Sequence, residues 1–177
     1  SDVYKRQQRD GPGDPDDGVD GVCRRSVHLD RGNPRYRLAA FSATNGALLT
    51  WAPQANLGVR SLLALPAQSK LVVGGSFTAL NGVSNPGMGA VDAASGATLS
   101  WPANRVVNGN GGSGSGAIVG LSTDGSKVYG AGFSQAAYVT GRLEGSFAAD
   151  LNGNLDWVNG CYGDQYGTFP SGGVLYQ

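Results

Sequence analysis

Met88-Gly-Ala-Val91-Asp92-Ala-Ala-Ser95-Gly96-Ala-Thr-Leu-Ser-Trp101 reads as a strand, a Ser-Gly turn and a second strand that ends in tryptophan. The pattern occurs three times. An earlier copy is Tyr36-Arg-Leu-Ala-Ala-Phe41-Ser-Ala-Thr-Asn45-Gly46-Ala-Leu-Leu-Thr-Trp51, and a later one is Gly145-Ser-Phe147-Ala-Ala-Asp150-Leu-Asn152-Gly153-Asn-Leu-Asp-Trp157. Glycine at Gly46, Gly96 and Gly153 supplies the positive φ that tight hairpin turns demand. Ser42, Asp92 and Asp150 precede the turns, where a short polar side chain caps the backbone. The tryptophans lie 50 and then 56 positions apart.

Two further strands are expected in each interval: Val59 to Leu65 and Lys70 to Thr78 after Trp51, then Ala117 to Leu121 and Lys127 to Phe133 after Trp101. Pro66-Ala-Gln-Ser69 and Ser122-Thr-Asp-Gly125 make the turns between them. A repeated four-stranded unit of this length is the sequence sign of a β-propeller blade. A solenoid is the competing architecture, with shorter and more regular turns. A lone four-stranded sheet cannot bury both faces, whereas stacked sheets cover one another. Trp51, Trp101 and Trp157 are placed to wedge between neighbours, a packing role favoured over stacking on a sugar or base. The expected fold is all-β, a partial β-propeller of about three four-stranded blades over residues 33–177.

Composition agrees. The chain has 177 residues with 30 Gly, no net charge and 40% hydrophobic residues. That suffices for a core, and so much glycine turns the reading from helix to turn-rich β-structure. No run approaches the roughly 20 apolar residues of a membrane-spanning helix. Zero net charge argues against a general nucleic-acid or membrane-surface binder. Residues 1–31 nonetheless hold 13 of the 26 charges, and Gly11-Pro12-Gly13-Asp14-Pro15 would break any helix or strand. The plain reading of this segment is a disordered charged tail. A sharper one is that residues 1–7 resemble translated sequencing adapter. Residues 19–32, back-translated and read one base later, permit a Gly-Gly-x-Phe-Thr sequence in register with Gly74-Gly75-Ser76-Phe77-Thr78. On that reading residues 1–32 are non-native, and Cys23 and His28 carry no functional weight.

Val73-Gly-Gly-Ser-Phe-Thr-Ala-Leu-Asn-Gly82 and Gly89 to Trp101 resemble the delta-60-type β-propeller repeats of large secreted or surface actinobacterial proteins. The resemblance implies a cell-surface or extracellular place, and blades of the same chain beyond both ends. Asn159-Gly-Cys161-Tyr-Gly-Asp164 resembles a further family element, often followed by a second cysteine, so the resemblance implies that Cys161 is half of a disulfide. Ala90 to Trp101 is also similar to the tryptophan-docking repeat of quinoprotein dehydrogenases, which hold a quinone cofactor and calcium at the propeller centre. No adjacent cysteine pair or cofactor constellation accompanies it here, and fold does not imply function.

Chemistry-bearing patterns are few. No histidine follows His28, so neither a Ser-His-Asp triad nor a Cys-His pair can be assembled after residue 32, and zinc lacks ligands. Asp150, Asn152, Asn154 and Asp156 put four oxygens at alternate positions, as calcium takes them. The glycine is not where a calcium loop needs it and the distal Glu is missing, so an ordinary hairpin turn is the favoured reading. The glycine-rich run Gly109 to Gly116 lacks the strand, helix and lysine of a phosphate loop and reads as a linker. The expected function is a non-catalytic extracellular scaffold that binds a protein or carbohydrate through loops such as Asn81 to Gly87 and Val106 to Gly116. A quinoprotein-like oxidoreductase fragment and a structural spacer are the alternatives.

Overall fold

The computed structural model describes residues 27–29, 33–105, 107, 116–134, 143–160 and 163–177. Their regular elements are strands and short 3-10 turns. Strands β1 (Val27–Leu29) and β2 (Asn33–Arg35) pair as a hairpin. Next come β3 (Val59–Leu65) and β4 (Lys70–Gly75), joined by a 3-10 turn at Pro66–Gln68. A small hairpin, β5 (Ala79–Leu80) with β6 (Val83–Ser84), precedes β7 (Met88–Asp92) and β8 (Thr98–Leu99). Strands β9 (Gly116–Thr123), β10 (Lys127–Ser134), β11 (Gly145–Asp150) and β12 (Leu155–Asn159) follow, then the hairpin β13 (Phe169–Ser171) and β14 (Val174–Tyr176).

Two four-stranded antiparallel sheets result, ordered β3-β4-β7-β8 and β9-β10-β11-β12. Each is a meander of sequence neighbours, and neither closes on itself. Their registers repeat. Lys70 stands opposite Asp92 in the first sheet, and Lys127 opposite Asp150 in the second. The register shifts at the same place in both, opposite Gly74 and Gly75 in one and between Ala131 and Gly132 in the other.

Side chains alternate across a strand, so each sheet has two faces to cover. On the first sheet Leu63, Leu65, Val72, Met88 and Ala90 meet Ile118, Val128, Phe147 and Ala149 of the second, with Trp101 in the same core. On its other face Val73 and Val91 pack with Leu38, Ala55, Phe77 and Leu80, against Trp51 and Leu57. The first sheet is therefore the middle layer of a stack. Glycine permits the close approach between sheets at Gly74, where a side chain would meet the Ile118 backbone of the second sheet; within the second sheet, one on Gly130 would overlap the ring of its strand partner Phe147.

The sequence reading differs from this architecture in three places. Residues 36–51 form a single bridge, Phe41 with Leu48, so two four-stranded sheets stand where about three were expected. No neighbouring strand extends that hairpin among the described residues, and an isolated hairpin is marginal. The strand expected to run from Lys70 to Thr78 stops at Gly75, which is packed against the Gly58 backbone. Asn81 and Gly82, expected in a loop, form the turn of the β5–β6 hairpin. Residues 1–26 and 30–32, with the adapter reading, Cys23 and all of the frame-shifted stretch but Val27–Leu29, lie outside the described residues. So do Cys161 and the glycine-rich run at 109–115.

Candidate functional site

The three hairpin turns are built alike. Gly46, Gly96 and Gly153 adopt φ of 71, 76 and 85°. Ser42 Oγ accepts a bond from the Thr44 N–H. Asp92 Oδ1 accepts from the N–H groups of Ala94 and Ser95 and from the Ser95 hydroxyl, which holds its carboxyl below the usual range. Asp150 accepts from the Asn154 side chain and from the N–H groups of Asn152 and Asn154, with the same effect. The residues singled out for calcium are thus divided between tasks. Asp150 caps the turn with Asn154, while Asp156 lies beyond it on β12 and pairs with Lys127.

Two tryptophans hold the next unit's turn. Trp51 donates its Nε1 proton to the Asp92 carbonyl (3.2 Å), and Gly96 sits against Pro53 and that indole. Trp101, only 2% exposed, covers Gly153 so closely that a methyl group there would come within 2.6 Å of the ring. The Ala103 N–H donates to the Gly153 carbonyl (2.7 Å). Lys70 Nζ donates to the Leu151 carbonyl (2.9 Å) and lies 5.6 Å from the Trp101 ring centroid. Trp157 departs from the pattern. It lies within β12 opposite Ala148, the position that Leu99 takes opposite Ala90 in the first sheet. Its turn has Gly three residues after the capping Asp, against four after Asp92.

Trp157 therefore belongs to the second sheet's outer face, which carries the candidate site. Its ring lies 6.3 Å from that of Tyr129, tilted by 46°. The Tyr129 hydroxyl donates to Asp124 Oδ2, and Asp124 Oδ1 accepts from the Ser126 hydroxyl and the N–H groups of Ser126 and Lys127. Those donors, the Ser126 N–H foremost, hold the Asp124 carboxyl far below its usual range. The bond to Asp124 in turn raises the Tyr129 phenol. Segment 163–177 crosses the same face. Tyr166 packs on Phe133 at 6.0 Å, Thr168 Oγ1 and Ser122 Oγ share a bond of 2.7 Å, and Gly120 abuts Tyr166 and Gly167. Between Pro170–Leu175 and the residues Asp124, Lys127, Tyr129 and Trp157 lies an open groove of about 470 Å³. In the same segment Tyr166, Phe169, Val174 and Tyr176 each expose more than half of their surfaces, and Val174 lines the groove.

This arrangement offers aromatic area, a paired lysine and a fixed carboxylate. Among the described residues, no three His, Cys, Asp or Glu side chains gather as a metal site would require. Sequence reasoning passed over Lys127, Tyr129 and Asp124. The available signal was the dipeptide Ser69-Lys70, repeated as Ser126-Lys127 at the start of the second strand of each sheet. Comparison with protein-family models, curated proteins and solved structures gave no match.

Proposed function

We propose that this chain contributes layers to a β-propeller that acts outside the cell as a non-catalytic scaffold for a protein partner. The observation that carries the reading is the repeated docking of one unit's turn under the preceding unit's tryptophan, Gly96 by Trp51 and Gly153 by Trp101. A contact repeated in this way stacks sheets at a constant rotation, which is how blades are arranged. The binding surface is the aromatic rim of Tyr166, Phe169 and Tyr176. Exposed apolar clusters of this kind suit a protein partner, since aromatic anchors dominate the energetics of such interfaces. The polar residues nearby, Asp124 with Ser126 and Tyr129, serve the β9–β10 turn.

The chain immobilised on a sensor, probed with a displayed random-peptide library and with a panel of soluble glycans, tests this reading. Saturable peptide binding that weakens at least tenfold in the double variant Phe169→Ser, Tyr176→Ser is expected. Saturable binding of glycans alone, or peptide binding indifferent to the two substitutions, would overturn it.

A further inference from the structure

We infer that Asn81 is a site of spontaneous deamidation that acts as a one-way latch: intact, its side chain holds the β5–β6 hairpin against the first sheet, and converted to aspartate or isoaspartate it lets the hairpin go. The reaction is internal and needs only water. The peptide nitrogen of Gly82 gives up its proton and attacks Cγ of Asn81. The bond from Cγ to the side-chain nitrogen breaks, ammonia leaves with that proton, and water opens the resulting succinimide at either carbonyl. Glycine after asparagine favours the attack, because no Cβ crowds the nitrogen.

Asn81 is exposed, so water reaches it, yet both ends of its amide are occupied. Oδ1 accepts from the Gln54 N–H (2.8 Å), and Nδ2 donates to the Gly96 carbonyl (2.9 Å) and to Thr98 Oγ1 (3.0 Å). The Asn81 N–H donates in turn to the Gln54 carbonyl (2.8 Å). One side chain therefore joins three segments: the stretch before β3, the β5–β6 turn and the end of the β7–β8 turn. What it holds down is Leu80, which is fully buried, lies over Gly89 and bridges to Ala55. Val73, Phe77 and Val91 belong to the same core.

While the amide is tied in this way Cγ is not free to turn to the Gly82 nitrogen, so the reaction waits for the hairpin to open locally. Afterwards the way back is blocked. Aspartate has no N–H for the Gly96 carbonyl and sets a negative oxygen against it. Isoaspartate adds a carbon to the backbone of a two-residue turn whose φ values, 49 and 76°, suit the twist of the paired strands. The Asn-Gly steps of the neighbouring turns are built differently. The Gly46 N–H is tied to the Ser42 carbonyl and the Gly153 N–H to the Asp150 carbonyl, so there the attacking nitrogen is held. Asn45 Oδ1 bonds within its own turn, to the Ala47 N–H, so converting Asn45 breaks no link between segments.

Ageing the intact chain in heavy-oxygen water at mildly alkaline pH, both folded and in guanidinium chloride, tests the inference, with each Asn-Gly peptide followed by mass spectrometry. Asn81 is expected to convert in the folded chain, but at least about tenfold more slowly than in the denatured one, because opening must come first. Thr98→Val removes one tether and should speed conversion of Asn81 in the folded chain while leaving that of Asn45 unchanged. Hydrogen exchange reads the latch itself. The amides of residues 79–84 should exchange about tenfold faster in chains converted at Asn81 and in Asn81→Asp, the effect of losing two hydrogen bonds, but not in Asn45→Asp. Should Asn81→Asp fold poorly, chains folded first and aged afterwards supply the same comparison. An Asn81 that never converts in the folded chain, or that converts as fast folded as denatured, would overturn the inference. So would amides at 79–84 that stay as slow after conversion as before it.

Discussion

Gly46, Gly96 and Gly153 share one backbone conformation and differ in what surrounds them, which separates two costs of replacing a turn glycine. A left-handed conformation costs a residue with a Cβ roughly 1–2 kcal/mol. That is all Gly46→Ala should lose, since open space surrounds the position. Gly153→Ala adds an overlap with the Trp101 ring, and overpacking typically costs a further 1–3 kcal/mol. Urea titrations at dilute protein concentration should therefore place Gly153→Ala well below Gly46→Ala in stability. Equal losses at the two positions would show that the indole moves aside freely, and the docking contact would lose its claim to fix the stack. The turn glycines were legible in the sequence because positive φ selects for glycine whatever the tertiary setting. The second reason for Gly153, its cover of tryptophan, depends on a neighbouring unit and has no local signal.

At the scale of the element, the β9–β10 hairpin turns on one carboxylate. Asp124 gathers the N–H groups of Ser126 and Lys127, the Ser126 hydroxyl and the Tyr129 hydroxyl. Its folded carboxyl gives up its proton more readily than in the unfolded chain, whose value lies near about pH 4. The turn's contribution is thus complete above that range and fades as the pH falls through it towards the lowered folded value. The urea midpoint of the wild type should drop between neutral pH and strong acid. The stability gap between wild type and Asp124→Asn should narrow over the same interval, and a gap independent of pH would remove Asp124 from its place as the turn's anchor. Hairpins of this kind were readable from alternation and turn residues: β3 has the expected limits, Val59 to Leu65, and β10 runs one residue past the expected Lys127 to Phe133, while β9 ends two residues beyond Leu121. Trp157 was not readable in the same way. Its turn is one residue shorter before the glycine, and an irregularity between Leu155 and Trp157 sets the indole opposite Ala148, in the place of Leu99 and not of Trp101.

For the whole molecule, the decisive fact is that the largest core belongs to neither sheet. Leu65, Val72, Met88 and Ala90 come from the first sheet, Ile118, Val128, Phe147 and Ala149 from the second, and Trp101 from the link between them. The sequence predicted stacking from the need to cover two faces, but not which residues would meet. That depends on Gly74, whose missing side chain leaves room for Ile118 of the other sheet, and on Gly130, over which its strand partner Phe147 lies. Since neither sheet can keep this core alone, the two should unfold together. Phe147 is fully buried between them, and truncating a buried phenylalanine costs about 3–5 kcal/mol through lost burial and the cavity left behind. Phe147→Ala should therefore lower the urea midpoint of the strand signal in circular dichroism and of the fluorescence of Trp101 by the same amount. Trp51 and Trp157 replaced by phenylalanine would make that fluorescence specific to Trp101. If the first sheet stands alone instead, part of the strand signal will persist after the Trp101 signal is lost, and the wild-type transitions will separate as well. Coincident transitions that shift together in Phe147→Ala would make the stacked pair of sheets, rather than the single sheet, the smallest folding unit of this chain.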